Sequence, residues 1–344
     1  MTLYALALAG GVAGAHISAP VPAQAATVAT PEPAVAPVVA PMPEPAPVRP
    51  TAPELPAIVA QPVIPSIGSG SVDSFGEAYR DGSIISGSTP HRLILFTFDD
   101  GPDRRSTPLL LDRLDAAGVK AVFFLTANRI DGNNPAEREQ AAIARDIVAR
   151  GHMVASHTHD HKQMPLLSDG EAMEQLMTAQ SVFERELGER PWLFRPPGGA
   201  HSPRIDAMVS KLHYTTMLWN LGAGDFQVRT GQDVYDTWRK VFERRARDHG
   251  DRGGIVLLHD TYAWSVDAFQ MIMADLQERN CALFEAGEEL YDVVDDPTLF
   301  FQPRVDAPAH AFAPRATPDP DVIEERQAAL RTATAERCDA RETR

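Results

Sequence analysis

From Arg92 onward the chain alternates short apolar runs with longer amphipathic segments. The runs Leu93–Phe98, Ala121–Thr126, His152–Ser156, Trp192–Arg195, Tyr214–Trp219, Gly254–Leu258 and Cys281–Phe284 read as strands. Between them Thr107–Ala117, Pro135–Arg150, Ser168–Leu187, Pro203–Leu212, Asp233–Asp248 and Val266–Arg279 carry helical periodicity. Strands and helices in strict alternation predict parallel β/α units, as a barrel or an open sheet. In a barrel the C-terminal strand ends gather on one rim, and that rim carries the chemistry. No internal repeat is visible.

The flanks break this pattern. Met1–Ala25 has an apolar run and a small-residue site at Ala23-Gln24-Ala25. It reads as a secretory signal peptide, although no Lys or Arg precedes the apolar run. Residues 26–65 hold 12 prolines between Pro31 and Pro65, so this stretch favours extended polyproline geometry. Residues 26–91 are therefore expected to be a linker and lead-in, and 92–300 the folded domain. Residues 301–344 are expected to be a largely disordered tail with a short charged helix near Asp321–Arg337. The run near the N-terminus is too short and Gly-rich to predict a stable membrane span. The chain is expected to be exported to the periplasm, cell envelope or medium, and to be monomeric.

Composition narrows the function. A net charge of −15 argues against a nucleic-acid partner, which needs a basic surface. The two cysteines, Cys281 and Cys338, cannot form a disulfide framework or a Cys-based zinc site. Cys281 reads most simply as a core residue, with one bridge to Cys338 left open.

Polar residues cluster at the strand ends. The first run ends in Asp99-Asp100-Gly101-Pro102, a turn signal carrying two adjacent carboxylates. Neighbours on a strand face opposite sides, so the two cannot share one job: one can bind a metal while the other works beside it as a base. After the third run comes His157-Thr-His-Asp-His161. His157 and His161 are four apart and would face one way on a helical turn; His159 is expected to point away. With Asp100 they offer two imidazoles and a carboxylate, a set suited to a catalytic divalent metal. Arg195-Pro-Pro-Gly-Gly199 is a rigid loop whose arginine can pair with a carboxylate. Trp219 through Asp225-Phe226 and Leu257-Leu-His259 complete the rim, with His259 placed as a general acid.

These stretches resemble, in order, the five motifs of the polysaccharide deacetylases, carbohydrate esterase family 4, the NodB-homology domain. The resemblance covers roughly residues 92–290. It implies a distorted (β/α)7 barrel and one divalent metal, usually zinc, with cobalt or another ion as alternatives. It also implies Asp100, His157 and His161 as ligands, and Asp99 as the base, oriented by Arg195. It implies His259 as the acid, tuned by Asp225. Leu257 would line the acetyl pocket, Phe226 and Trp219 would contact sugar, and the Gly198 N–H would hold the oxyanion. Two positions depart from the family: Gly198 stands where Tyr is frequent, and Phe226 where Trp is. The expected reaction is metal-dependent removal of N-acetyl groups from an N-acetylglucosamine polysaccharide. The alternatives are O-acetyl esterase action on xylan and non-catalytic sugar binding. For a phosphoesterase the sequence shows no clear second carboxylate set, for a serine hydrolase it shows no Gly-x-Ser-x-Gly elbow, and a structural envelope protein would have the Pro-rich segment as its working part.

Overall fold

The structure is a computed structural model that describes residues 55–61, 84–300 and 318–342. The expected signal peptide and most of the Pro-rich stretch lie outside the described residues.

The sheet is built on β2 (Leu93–Asp99), in which every residue is buried. Its neighbours are β3 (Val122–Leu125) and β8 (Gly254–His259); beyond β3 lie β4 (Met153–Ser156), β5 (Leu193–Phe194), β6 (Thr215–Met217) and β1 (Ile84–Ile85). Beyond β8 lies β7 (Leu221–Gly222), and β9 (Asp292–Val293) joins the start of β2. All pairings are parallel, so every C-terminal strand end reaches the same rim. Six helices connect the strands: α1 (Ser106–Ala117), α2 (Pro135–Ala149), α3 (Asp169–Leu187), α4 (Pro203–Lys211), α5 (Gly231–His249) and α6 (Ala263–Glu285). Their starts are where capping residues stand: Asn134, Ser168, Ser202 and Thr230 each accept a backbone N–H of the first turn.

The order β1-β6-β5-β4-β3-β2-β8-β7 leaves β1 and β7 unpaired with each other, so the barrel is open along one seam. A side chain bridges that seam. Asn220 donates to Asp251 and to the Gly253 carbonyl and accepts the Ile255 N–H. Its amide oxygen lies so close to Gly87 that a Cβ there would meet it at 2.6 Å. The distorted barrel inferred from the sequence is the fold observed.

Strand alternation sorts the core. Ile94, Phe96 and Phe98 pack outward beneath the helices, in a cluster with Leu110, Leu114 and Phe269. Leu93 and Leu95 point inward with Val122, Phe124 and Ile255. The same parity carries Thr97 and Asp99, and on β8 Leu257 and His259, to the inner face at the rim.

Three expectations need correction. Cys281–Phe284 is no strand; it is the last turn of α6, whose helical period the apolar run continues. Its Cys281 bonds to Cys338 on α7 (Pro320–Glu342). Within the expected tail, this described helix is docked rather than loose: Ile323 packs with Leu93, Val294 and Phe300 beneath the barrel, and buried Arg326 pairs with buried Asp292 at 2.6 Å. Residues 55–61 of the Pro-rich stretch also dock: Val59 exchanges two hydrogen bonds with Gln277, and Gln270 donates to the Pro56 carbonyl. Short polar contacts with α6 hold this extended chain without a regular element.

Truncating Arg326 would strand the Asp292 carboxylate in the interior. Arg326→Ala is expected to cost about 3 kcal/mol, within the usual range for one partner of a buried pair. The urea unfolding midpoint checks this; a midpoint equal to that of the unaltered chain would contradict a docked C-terminal helix.

Candidate active site

The rim is organised by Asp99 and Asp100, though not as strand alternation predicts. β2 ends at Asp99, and Asp100 turns into the left-handed region at φ +72°. Its N–H donates to the Phe124 carbonyl at 3.1 Å. The turn swings its carboxylate back toward the mouth of the barrel, so both acids approach His157, at 3.7 Å (Asp99) and 3.4 Å (Asp100). The next residue must be glycine. A Cβ on Gly101 would lie 2.1 Å from the buried Asp260 carboxylate.

The two acids differ by their partners. Asp99 is buried and receives the Arg195 guanidinium at 2.6 Å. Arg195 is itself fully buried; it also donates to the Thr97 hydroxyl and to the carbonyls of Met217 and Leu218. Its guanidinium sits 3.9 Å from the Phe124 ring centroid and 5.4 Å from that of Trp219. Burial pushes the Asp99 carboxyl above its ordinary range, and the Arg195 charge pulls it back only in part.

Asp100 faces the histidines. Its Oδ1 is buried, has no hydrogen-bond partner, and stands 3.4 Å from His157 Nε2 and 3.2 Å from His161 Nε2. The His157 Nδ1 bonds the Arg195 carbonyl at 2.7 Å, which fixes the donor on Nδ1 and leaves Nε2 as a lone-pair ligand. Burial holds the His157 imidazole down to about 3, in its neutral, metal-binding form. One ligand atom from each of Asp100, His157 and His161 lies within 4.8 Å of the others. An orphaned carboxylate oxygen facing two imidazole nitrogens fits a divalent cation, and this donor set suits zinc. The loop is not the helical turn expected from the spacing. Thr158 and His161 both take positive φ (+70° and +62°), and the Thr158 hydroxyl accepts the His161 N–H. A cavity of about 390 Å³ opens from Asp100 and His161 onto Thr126, Asn128, Arg129 and Asp160.

Across the mouth, His259 is gripped by Asp225. Oδ1 meets His259 Nδ1 at 2.8 Å and Oδ2 accepts its backbone N–H at 2.6 Å. The Ser265 hydroxyl and the Trp264 indole hold Asp225 in turn. Burial opposes a charged His259, but the Asp225 hydrogen bond and the nearby carboxylates outweigh it and raise the imidazole to about 9. Its Nε2 points at Asp100 Oδ2, 3.9 Å away.

The remaining expected residues line the same rim. Leu257 is buried on β8 two residues before His259, while Phe226 is 52% exposed with its ring 6.0 Å from the imidazole. Gly198 has φ +63° in a tight turn, and a Cβ there would lie 3.0 Å from the Gln163 side-chain nitrogen. A polar amide thus covers the place where an aromatic would stand. Trp219 packs edge-on against Gly199.

Sequence reading missed Thr97, Ser265, Trp264 and Asp260. Thr97 was findable, being two residues before Asp99 and so on its face. Asp260 was not; burial raises its carboxyl to about 7 beneath the turn, where Thr107 donates to it.

Residues 86–217 match the polysaccharide deacetylase family model. That stretch is similar to the polysaccharide deacetylase domain. Over 197 residues it is 28% identical to the peptidoglycan-N-acetylmuramic acid deacetylase PdaC of Bacillus subtilis, covering 57% of this chain and 38% of that protein. A peptidoglycan-N-acetylglucosamine deacetylase of Bacillus cereus is 28% identical over 206 residues, covering 58% of this chain and 88% of the other. Among solved structures, the chitin deacetylase of Colletotrichum lindemuthianum superposes with a TM-score of 0.50 at 27% identity, over 56% of this chain and 85% of that one. The match therefore spans less than two fifths of the Bacillus subtilis protein.

Asp225 sets the charge of His259, and the sign is testable. NMR titration of the metal-free protein is expected to place the His259 midpoint near 9, and Asp225→Asn is expected to lower it. The charged imidazole contributes stability below pH 6.5 in full and loses it as pH rises through about 9. An unmoved midpoint in Asp225→Asn would contradict the assignment.

Proposed function

We propose that this chain is a metal-dependent polysaccharide deacetylase that removes N-acetyl groups from an N-acetylglucosamine glycan of the cell envelope and releases acetate. The observation that carries the reading is one rim holding a metal-ligand set, a separately held buried acid and a histidine–aspartate pair. The named relatives act on peptidoglycan and chitin, which supports this substrate class.

Asp100, His157 and His161 would hold the metal. When bound, a divalent cation polarises a carbonyl and lowers the pKa of water toward about 7. Asp99 takes the proton of the attacking water as its oxygen bonds to the amide carbon. Arg195 holds that carboxylate in place and stabilises its charged form, while burial makes it more basic than an exposed aspartate. The Gly198 N–H would donate to the developing oxyanion; losing one such donor costs about 10²–10³ in rate. His259, kept protonated by Asp225, gives its proton to the nitrogen as the C–N bond breaks, so the product leaves as a neutral amine. Leu257 lines the acetyl side, and Phe226 and Trp219 face the sugar. The Cys281–Cys338 bond fits an oxidising compartment and supports export.

The full chain is expected to release acetate from N-acetylglucosamine oligomers or peptidoglycan. A chelator should abolish release and added zinc restore it. Metal-loaded protein that frees no acetate from either substrate would contradict this function.

A further inference from the structure

Beside His259 stands an aromatic group with no part in the reaction just described. The Tyr262 ring lies 5.8 Å from the imidazole, on the same residue as the Phe226 ring but from the α6 side. Tyr262 stacks on Trp264 with centroids 4.8 Å apart and planes 9° from parallel. Trp264 is anchored twice: its indole donates to the Asp225 carbonyl at 2.7 Å, and the Arg229 guanidinium sits 5.1 Å from its ring. Tyr262 closes the turn after β8 through its own backbone, donating to the His259 carbonyl and accepting from Ser265. The ring is only partly buried, and its hydroxyl has no partner among the described residues.

The pair is thus a rigid, half-open aromatic face whose position is tied to the Asp225–His259 pair. Packing alone does not require this, because Trp264 already anchors the loop. We propose that Tyr262, braced by Trp264, is a sugar-binding platform for the pyranose ring that carries the departing nitrogen. This rests on the deacetylase reading in its choice of ligand. His259 must come within roughly 3 Å of that nitrogen to protonate it. The amino sugar's ring atoms then fall within a few ångströms of the imidazole, where the faces of Tyr262 and Phe226 stand. An aromatic face is electron-rich, and the axial C–H face of a pyranose is its complement. At Gly198 no side chain offers such a surface, and the Gln163 amide lies over it. Trp264 acts as a positioning residue and Tyr262 as the contact.

The test measures dissociation constants of N-acetylglucosamine tetramer by calorimetry. The zinc-loaded full chain would carry Asp99→Asn, which slows cleavage, and then also Tyr262→Ala or Tyr262→Phe. Tyr262→Ala is expected to weaken binding about tenfold, as expected from losing one stacked ring. Tyr262→Phe, which keeps the ring, is expected to stay within about twofold. Binding by Tyr262→Ala within about twofold of its parent would overturn the platform, and so would Tyr262→Phe as weak as Tyr262→Ala. A parent that does not bind the tetramer overturns it as well. Acetate release by the chain with Asp99 intact is scored separately. Tetramer binding that depends on Tyr262 without any acetate release would keep the platform and overturn the deacetylase reading.

Discussion

The rim depends on the buried pair between Arg195 and Asp99. Two carboxylates adjacent in sequence reach one low-dielectric mouth, and like charges that close cannot both stay ionised without separate partners. Arg195 resolves this for Asp99. It is fully buried, and its other donors are spent on Thr97 and on the carbonyls of Met217 and Leu218. It therefore cannot swing to Asp100. Removing it would leave an uncompensated buried acid, a defect that costs about 3–5 kcal/mol. Asp100 is left to the histidines, and His157 is itself aimed by the Arg195 carbonyl. One residue thus positions the base through its side chain and a metal ligand through its backbone.

The same economy recurs on the other side. Asp225 binds both the ring and the backbone of His259, so the acid's charge and its place at the end of β8 share one cause. Parallel pairing of β2 with β8 in register, Asp99 opposite His259, sets base and acid on neighbouring strands. The C-terminal helix α7 closes the far end of the barrel, so the chemistry lies at one end and the plug at the other.

Much of this was legible in the sequence. Apolar runs with helical segments between them mark β2, β3, β4, β5, β6 and β8, and the motif residues fall at or near their ends. Four features were not legible, for identifiable reasons. The strands β1, β7 and β9 are two residues each, and none reads as a separate strand. The backbone at Asp100 departs from strand geometry, so alternation placed the acids on opposite faces when a left-handed turn puts them on one. The apolar run at Cys281–Phe284 has the composition of a strand, and only the longer period of α6 shows it to be helix. Long-range partners such as Arg326 with Asp292 leave no local trace at all.

The division of labour between the adjacent acids is the central claim. The direct measurement is zinc content and turnover in Asp99→Asn and Asp100→Asn, each as purified full chain. The account predicts that Asp99→Asn keeps about one zinc and loses turnover by orders of magnitude, while Asp100→Asn loses the zinc itself. Near-native turnover in Asp99→Asn, or zinc retained at full occupancy in Asp100→Asn, would contradict it.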